Sequence, residues 1–453
     1  MKNNRAVAYL VSVFVCLWCF LPVAAVYGAE AARWFKGNTH CHSFWSDGVE
    51  FPEMVADWYK SHGYDFLALS DHDVLMEGER WLLIGREKRQ VPPEAVERYL
   101  KRFGADWVEL RGEGEKREVR LKTFAEVARK LAEPNRFLLV QGEEISDKCH
   151  SADVHLNAFN LAEVIRPQHG ASVQETIVRN LLAANEQALR LNRPILVHLN
   201  HPNWHYSISA EDLAAVRELR FFEVCNAGDD VNHHGDETHP SVEKLWDAAN
   251  AIRLTELKTH PLYGIGSDDA HVYHPRPTNL GSAWVVVRAA QLSPEALIEA
   301  MNRGEFYAST GVVLESMEFD EKKGELRVAV KAEPGVHYTI EFVGTLQGAP
   351  IRLENHPSPP PENKPAETSN GRPSPANKEQ PPAPVIRYSP EVGKVLAKVE
   401  GVSAVYRLTG EELYVRAVIR SNRAIANAPP TCVQVEQAWT QPVGWQKYLP
   451  ATP

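Results

Sequence analysis

The sequence predicts an α/β fold followed by a smaller all-β region, on three observations. Seven short apolar runs lie between residues 34 and 267, and amphipathic helical patterns separate several of them, which implies βα units and a parallel sheet. After Thr310 the runs are short and several alternate polar with apolar residues, as half-buried strands do. The 453 residues, 44% hydrophobic and 24% charged, suffice for one large core and a smaller domain.

The first 29 residues predict a secretory signal peptide. Lys2 and Arg5 precede an uncharged run from Ala6 to Ala29 that ends in small residues, the usual order of signal-peptide regions. The run is also long enough to span a bilayer, so an uncleaved anchor is the alternative. We therefore expect an exported protein, periplasmic or extracellular, that meets a membrane only through an uncleaved N-terminal segment.

The apolar runs predict the strands of the α/β region. In chain order they are Trp34–His42, Phe66–Ser70, Phe137–Glu144, Val154–Asn160, Ile195–Leu199, Phe221–Asn226 and Leu262–Ser267. Helical spacing of apolar residues predicts helices at Pro52–His62, Val173–Leu191 and Val242–Ile252. Seven such units could close into a barrel or lie open. The charge-rich segment 77–136 predicts a helical insertion, which would either cover the catalytic face of a barrel or be a solvated decoration.

The region 311–453 predicts a small all-β domain. Its expected strands are Leu326–Ala332, Tyr338–Gly344, Val395–Val399, Ala404–Leu408, Glu412–Ser421 and Cys432–Trp439. Between the second and third of them, 10 of the 28 residues in 357–384 are proline. Such a composition cannot bury a core, so we expect an extended loop within the domain. The predicted organisation is therefore 1–29 signal peptide, 30–310 α/β domain and 311–453 β domain.

Composition narrows the function. The net charge of −10 argues against nucleic acid, which requires a basic face. Of 18 histidines, 16 fall between His40 and His274, and histidine is the commonest metal ligand.

The cysteines beyond the N-terminal run form no CxxC pair, so a zinc ribbon is excluded. They could form disulfides in any of three connectivities or remain buried thiols. They are Cys41, Cys149, Cys225 and Cys432.

Metal-ligating side chains accompany all seven apolar runs. Strand residues i and i+2 face the same side, so His40 and His42 can bind one ion while Cys41 points away. The further candidates, in chain order, are Asp47, Asp71, His72, Asp73, Glu143, Glu144, His155, His198, His201, Glu223, Asp268, Asp269 and His271. Catalytic groups of β/α barrels gather at the carboxyl ends of the strands, so we expect a metal site with several ions.

These motifs resemble those of the PHP (polymerase and histidinol phosphatase) superfamily over about residues 34–310. The matching elements are His40-x-His42, Ser70-Asp71-His72, Gly142-x-Glu144-Ile145, His201-Pro202 and Asp269-x-His271. The resemblance implies a distorted, TIM-like, seven-stranded β/α barrel. A finer similarity is to the exported, carbaryl-hydrolase-like branch, which has a similar C-terminal β tail. It is carried by Val154–Asn157, Asn200–Trp204, Ser267–His271 and Tyr307–Gly311.

The resemblance also implies ligand sets. One ion would be held by His40, His42, Glu144 and Asp269, a second by Glu144, His155 and His201, and a third by Asp47, His72 and His271. The family often has histidine where this chain has Asp47. Glu144, Asp269 and His201 are the expected catalytic residues. Around the ligands, Asp71 and Asp73 are expected to orient His72, and the other supporting or substrate-contacting residues to be His198, Glu223 and Asp268.

Histidine and carboxylate ligands suit zinc, manganese or iron. Two or three such ions fit an anionic ester, so the sequence predicts a metal-dependent hydrolase of a small-molecule ester, foremost a phosphoesterase. A carbamate or carboxylic ester hydrolase on the same metals is the second hypothesis, and an exported binding protein with a relic site is the third.

An aromatic pocket beside the metals would favour the second hypothesis. The residues that could form such a pocket are Trp45, Trp204, Tyr206 and Tyr273. Other candidates for substrate contact are Lys148, Arg276, His233, His234 and His239.

Overall fold

The computed structural model describes residues 32–274, 279–353, 387–425 and 428–450. The chain from Ala32 onward forms one compact unit. The predicted signal peptide, the proline-rich loop 357–384 and Arg276 lie outside the described residues. Within the described part, a search for helices of membrane-spanning length and hydropathy finds none.

Strands and helices alternate through the first two thirds of the chain, and strands dominate the rest. The strands are β1 (Arg33–Asn38), β2 (Phe66–Leu69), β3 (Arg80–Leu83), β4 (Leu110–Arg111), β5 (Glu118–Leu121), β6 (Leu138–Cys149), β7 (Ala152–Phe159), β8 (Leu196–Leu199), β9 (Phe221–Asn226), β10 (Tyr263–Ser267), β11 (Trp284–Ala289), β12 (Phe306–Ser309), β13 (Leu314–Asp320), β14 (Glu325–Val330), β15 (Tyr338–Leu346), β16 (Lys394–Glu400), β17 (Ser403–Arg407), β18 (Glu412–Ala424) and β19 (Val435–Thr440). The helices are α1 (Pro52–Ser61), α2 (Pro93–Phe103), α3 (Phe124–Leu131), α4 (Val173–Leu191), α5 (Ala210–Ala215), α6 (Val242–Ile252) and α7 (Pro294–Asn302).

A single mixed sheet organises the molecule, which confirms the α/β class. Its order is β10-β9-β8-β7-β6-β2-β1-β11-β12-β19-β18-β15-β16. All seven predicted apolar runs lie in it, as β1, β2, β6, β7, β8, β9 and β10. The expectation of a purely parallel arrangement is wrong at β7, which is antiparallel to both β6 and β8. The cause is a tight hairpin, in which Cys149 at the end of β6 pairs with Ala152 at the start of β7.

Two contacts bring the last strand of this set, β10, close to β1 and to its neighbour β11. Beyond the ends of β1 and β10, Cys41 and Ala270 form an isolated parallel bridge. A Cβ on Gly266 of β10 would lie 2.7 Å from the carbonyl oxygen of Trp284 in β11, so a glycine is needed there. One buried apolar cluster receives a side chain from each of the seven strands: Phe35, Phe66, Val140, Phe159, Leu196, Phe221 and Ile265.

The insertion between β2 and β6 differs from the helical segment that its charge pattern predicts. It contains α2 and α3, and also a three-stranded antiparallel sheet in the order β3-β5-β4. The strands are only two to four residues long, too short for a period-two pattern to stand out from the surrounding charges. A capping box on Thr123 and Glu126 begins α3.

The C-terminal strands extend the sheet of the α/β region. β12 pairs with β19, and β18 and β15 follow in antiparallel order. β13, β14 and β17 form a separate three-stranded sheet. The predicted division at residue 310 stays a prediction. All four described cysteines are buried free thiols, and the Sγ atoms of Cys225 and Cys432 lie 4.0 Å apart.

Candidate metal centre

The histidines that follow β1 point into one buried cluster. His40 and His42 are fully buried, and Cys41 packs in an apolar cluster on the other side. Nε2 of His40 lies 3.1 Å from Oδ1 of Asp269, and Nε2 of His42 lies at the same distance from that oxygen. Nε2 of His40 makes no hydrogen bond within the described part of the chain. A buried ring nitrogen without a donor or acceptor partner, aimed at carboxylates, is what a metal ligand requires.

Glu144 stands at the centre of the cluster, and its two carboxylate oxygens face different histidines. Oε1 lies 3.0 Å from Nδ1 of His155 and 3.3 Å from Nε2 of His201. Oε2 lies 3.1–3.3 Å from nitrogens of His40, His42 and His72. Burial acts to raise the pKa of Glu144, yet the charges of the neighbouring histidines hold it well below its usual value. An ionised carboxylate with histidines on both oxygens is suited to bridge two cations.

A more exposed group surrounds Asp47. Its carboxylate lies 3.3 Å from Nε2 of His271, 3.5 Å from Nε2 of His72 and 3.7 Å from Nδ1 of His42. The rings of His42 and His271 stack with centroids 4.0 Å apart. Burial acts to raise the pKa of Asp47, but hydrogen bonds from His271 and His72 lower it strongly. The aspartate is therefore ionised at this position.

Proximity groups these side chains in three overlapping sets. Ligand atoms within 4.8 Å of one another occur in the following groups: His42, Asp47, His72 and His271; His40, His42 and Glu144; His72, Glu144 and His155. The groups overlap the three expected sets without reproducing them, because His42 also faces Asp47 and His72 also faces Glu144. All nine expected ligands nevertheless lie in one continuous cluster.

Glu223 supports the cluster from β9. Its Oε1 accepts a hydrogen bond from Nδ1 of His40 at 2.7 Å, and Oε2 accepts one from the backbone NH of His201 at 2.7 Å. Burial acts to raise its pKa, but the charge and hydrogen bond of His40 lower it to about 2. The carboxylate thus fixes the His40 tautomer that leaves Nε2 free for a metal.

Asp268 faces away from the cluster. It accepts hydrogen bonds from Tyr59 at 2.8 Å, from Asn38 at 2.6 Å and from the backbone NH of Gly281 at 2.6 Å. Burial raises its pKa to about 7. Its neighbour Asp269 adopts a left-handed φ of 49°, a conformation that costs free energy in a residue other than glycine. This turn separates the two carboxylates, one towards the histidines and one towards α1.

Asp71 and Asp73 do not contact the His72 ring through any hydrogen bond found in the described residues, contrary to expectation. Asp71 accepts hydrogen bonds from Ser43 and Ser46, in the turn after β1. Asp73 accepts one from the backbone NH of Ser146 at 2.9 Å, and it is the Ser146 hydroxyl that lies 2.6 Å from Nδ1 of His72. The two aspartates therefore hold neighbouring chain segments in place.

The remaining expected residues lie outside the cluster of nine expected ligands. His198 is fully buried, its ring nitrogens lack hydrogen bonds in the described structure, and burial lowers its pKa to about 4; it is a neutral core group beside Glu223.

The other residues contact parts of the chain away from the ligands. His234 contacts the carbonyl of Cys432 and His239 contacts Asp236. His233 lies 4.0 Å from Glu243, and Lys148 pairs with Asp153. Glu143 accepts from the backbone NH of Ile165 on the opposite face of β6.

Two asparagines that sequence reasoning passed over complete the site. Nδ2 of Asn200 donates to Oε1 of Glu144 at 2.8 Å, and Nδ2 of Asn226 donates to Oδ2 of Asp269 at 3.1 Å and to Glu223 at 2.8 Å. Asn200 directly precedes the His201-Pro202 pair, which was the available signal. Asn226 ends the sixth apolar run, where only acidic and histidine side chains drew attention.

The cluster opens into a cavity of about 190 Å³. Trp204, Asp230 and Val231 line it together with seven of the nine expected ligands. The indole NH of Trp204 donates to Asp230 at 2.7 Å, and its ring lies 5.3 Å from that of His155 and 5.0 Å from that of His201. Of the other expected aromatics, Tyr206 stacks on His239 and the Tyr273 hydroxyl donates to backbone carbonyls. Of the four expected aromatic residues, Trp204 is the one that lines this cavity.

No protein-family model matches the chain, and the search of curated proteins finds no match. Among solved structures the chain is similar to a two-domain protein from Bacteroides vulgatus, described as containing a predicted PHP-like metal-dependent phosphoesterase. That similarity has a TM-score of 0.39 and 14% identity over 91% of this chain and 96% of the other.

Two further solved structures are similar over part of the chain. PsfC from Pseudomonas syringae gives a TM-score of 0.31 and 12% identity over 59% of this chain and 88% of its own. A protein described as a candidate metal-dependent phosphoesterase from Bifidobacterium adolescentis gives 0.29 and 14% over 59% and 96%. All three TM-scores lie below 0.5, so the function has to be argued from the geometry of the site. The fold and site define an α/β protein with a buried cluster of histidines and carboxylates able to hold metal ions.

Proposed function

We propose that the protein is a metal-dependent phosphoesterase of the PHP superfamily, from its exported, carbaryl-hydrolase-like branch, with a barrel formed by β1, β2 and β6–β10. The single observation that supports this activity is the position of Glu144, whose two carboxylate oxygens face separate groups of histidine nitrogens. Two or three divalent ions, zinc, manganese or iron, held by the nine ligands would acidify a water molecule and neutralise an anionic ester.

The chain's own groups prepare the site for this task. Glu223 accepts the Nδ1 proton of His40, and the carbonyl of Asp269 lies 2.9 Å from Nδ1 of His271 as its acceptor. Each bond leaves the Nε2 lone pair free to ligate. Four carboxylates line the small cavity, from Asp47, Glu144, Asp230 and Asp269. A phosphate could enter such a cavity only when cations offset their charge, so substrate binding is tied to metal binding.

The proposal extends to location and partners. The N-terminal pattern supports export to the periplasm or beyond, with a small-molecule ester as partner and no nucleic acid. The carbamate or carboxylic ester reaction on the same metals keeps one supporting observation, Trp204, whose ring packs on His155 and His201 and could contact an aryl group.

A substrate panel tests the function. Protein stripped with a chelator and reloaded with manganese, zinc or iron would be assayed on an aryl phosphodiester, an aryl phosphomonoester, an aryl carbamate and an aryl carboxylic ester. We expect phosphoester turnover that requires added metal. Absence of phosphoester turnover with every metal would refute the proposed reaction, and turnover of the carbamate alone would establish the second one.

Substitution of Glu144 tests the site itself. Glu144→Gln removes the charge that two groups of histidines share, so we expect metal per chain to fall and turnover to be lost, with His42→Ala behaving alike. The control His234→Ala changes a histidine that bonds Cys432 outside the cluster and should leave the metal content unchanged. Equal metal content in Glu144→Gln and the control, measured by elemental analysis, would contradict the assignment.

A further inference from the structure

A groove far larger than the metal cavity lies beside it. Its volume is about 860 Å³, and Asp47 and His72 line both spaces, so the groove leads directly to the ligand cluster. One wall is the turn after β1, from Phe44 to Val49. The other wall is formed by β3 and the loop that follows it in the insertion. The insertion thus reaches the face of the sheet that carries the site.

An isolated bridge between Ile84 and Val91 closes the loop after β3. Val91 donates its backbone NH to the carbonyl of Leu83, and Gly85 donates to the carbonyl of Val91, both at 2.9 Å. The guanidinium of Arg80 donates to the carbonyl of Trp45 on the opposite wall. The Arg80 bond therefore links the two walls of the groove.

The groove carries three positive charges without counter-charges. Arg80, Lys88 and Arg89 line it, and none of them forms an ion pair within the described part of the chain. Their neighbours in sequence are neutralised, since Arg86 pairs with Glu94 and Arg98 pairs with Glu50. Asp47 is the one carboxylate among the lining residues described, and three histidines already face it. The groove therefore favours an anion at the end formed by the loop after β3.

Much of the remaining lining of the groove is apolar. Phe44 and Trp45 are nearly buried, at 8% and 3% exposure, and Val74 and Leu82 line the groove with them. Pockets that bind organic molecules are mainly apolar with a few placed polar groups, and typically measure about 300–1,000 Å³. An inorganic phosphate alone would leave most of this space unfilled.

We propose that the groove binds the organic part of the substrate, and that this part has an apolar or aromatic body ending in a second negative charge. The second charge pairs with Lys88 and Arg89 while the phosphoester reaches the metal cluster. The proposal rests on the proposed function. It assigns to the insertion 77–136 the choice of substrate, in place of a solvated decoration.

The test uses two matched pairs of ligands. The substrates are 4-nitrophenyl phenyl phosphate and its analogue with a carboxylate on the phenyl ring. The corresponding non-hydrolysable phosphonates report binding by calorimetry without any turnover. For the manganese-loaded protein we expect the carboxylated member of each pair to bind about tenfold more tightly, the scale of one well-placed ion pair.

The variant Lys88→Ala/Arg89→Ala should abolish this preference by weakening the carboxylated ligand about tenfold. Its metal content and its affinity for the uncharged ligand should be unchanged. Lys101→Ala/Lys116→Ala is the matched control, because it removes two exposed charges of the same insertion that do not line the groove. Its preference should equal that of the unmodified protein.

Two results would overturn the inference. One is equal affinity of the unmodified protein for both members of the phosphonate pair. The other is a preference that survives in the Lys88→Ala/Arg89→Ala variant. Loss of the proposed function is a separate outcome, seen as no turnover of either phosphate with any metal while the phosphonate preference persists.

Discussion

Glu223 shows how one buried side chain can set the state of several ligands. It accepts hydrogen bonds from His40, from the backbone of His201, from Asn226 and from Ser267. Two of these partners are expected ligands, and Asn226 reaches a third, Asp269. Residues that hold metal ligands in one orientation commonly affect metal affinity almost as strongly as the ligands themselves.

Replacement of this carboxylate should therefore weaken metal binding. Glu223→Gln keeps the size but removes the charge that fixes the His40 tautomer, so we expect manganese affinity to fall about 10–100-fold. Calorimetric titration of chelator-treated protein measures it. Glu186→Gln, on the exposed side of α4, is the control and should bind as the unmodified protein does. An unchanged affinity in Glu223→Gln would show that His40 does not need this partner.

The sequence was informative about ligands and much less so about their supports. His40 and His42 converge because a two-residue spacing in extended chain puts both rings on one side, and all nine expected ligands share the cluster. The hydrogen-bond partner of His72 was predicted wrongly. Asp71 and Asp73 were expected because they are adjacent in sequence, whereas the contact is made by Ser146 from β6. Short polar side chains pair across strands, and the register of those strands is not a local property of the sequence.

At the scale of elements, predictions were best where a pattern was long. The expected helices Val173–Leu191 and Val242–Ile252 agree in both ends with α4 and α6, because many turns repeat the same apolar spacing. The run Phe137–Glu144 was ended five residues before β6 ends, since Ser146, Asp147 and Lys148 interrupt its apolar character. Because the predicted run ended early, the sequence did not predict the β6–β7 hairpin. β13 was missed altogether.

The end of α6 provides a test of how one turn is held. Arg253 begins a π-helical turn after α6 and is fully buried. Its guanidinium donates to five backbone carbonyls: those of Leu213, Val216, Arg217, Leu219 and His260. Burial lowers its pKa to about 9. The charge thus ties α5 and the turn after it to the segment that leads into β10.

Removing that guanidinium should destabilise the protein strongly. Arg253→Met fills similar space but leaves several buried carbonyls without donors, and we expect a loss of at least about 3 kcal/mol. Urea unfolding followed by tryptophan fluorescence measures it. Arg190→Met, which removes an exposed pair with Glu163, should cost no more than about 1 kcal/mol. Comparable midpoints for the two variants would contradict this account.

At the scale of the whole molecule, the α/β and C-terminal β regions share structure that local patterns could not reveal. Tyr307 in β12 pairs with Thr440 in β19, more than a hundred residues along the chain. Asp247 of α6 accepts hydrogen bonds from Arg416 and Tyr414 of β18, with all three side chains buried. After Thr310 the chain adds strands to the large sheet and also forms the separate sheet of β13, β14 and β17.

Truncation after residue 310 should therefore fail to give a stable protein. It would strip β12 of its partner β19, expose Trp246, and leave Asp247 without Arg416, and loss of one partner of a buried ion pair alone costs about 3–5 kcal/mol. An unpaired edge strand also invites aggregation.

We expect residues 30–310 to be recovered as aggregates in size-exclusion chromatography. Deletion of 357–384 alone is the matched control, because its proline-rich composition predicts no contribution to the core. That variant should elute as the full chain does, with the same metal content. The full chain carrying Asp247→Asn, which weakens the same contact without removing a strand, should fold with a lowered urea midpoint. A monomeric 30–310 fragment with full metal content would instead establish the C-terminal β region as an independent domain.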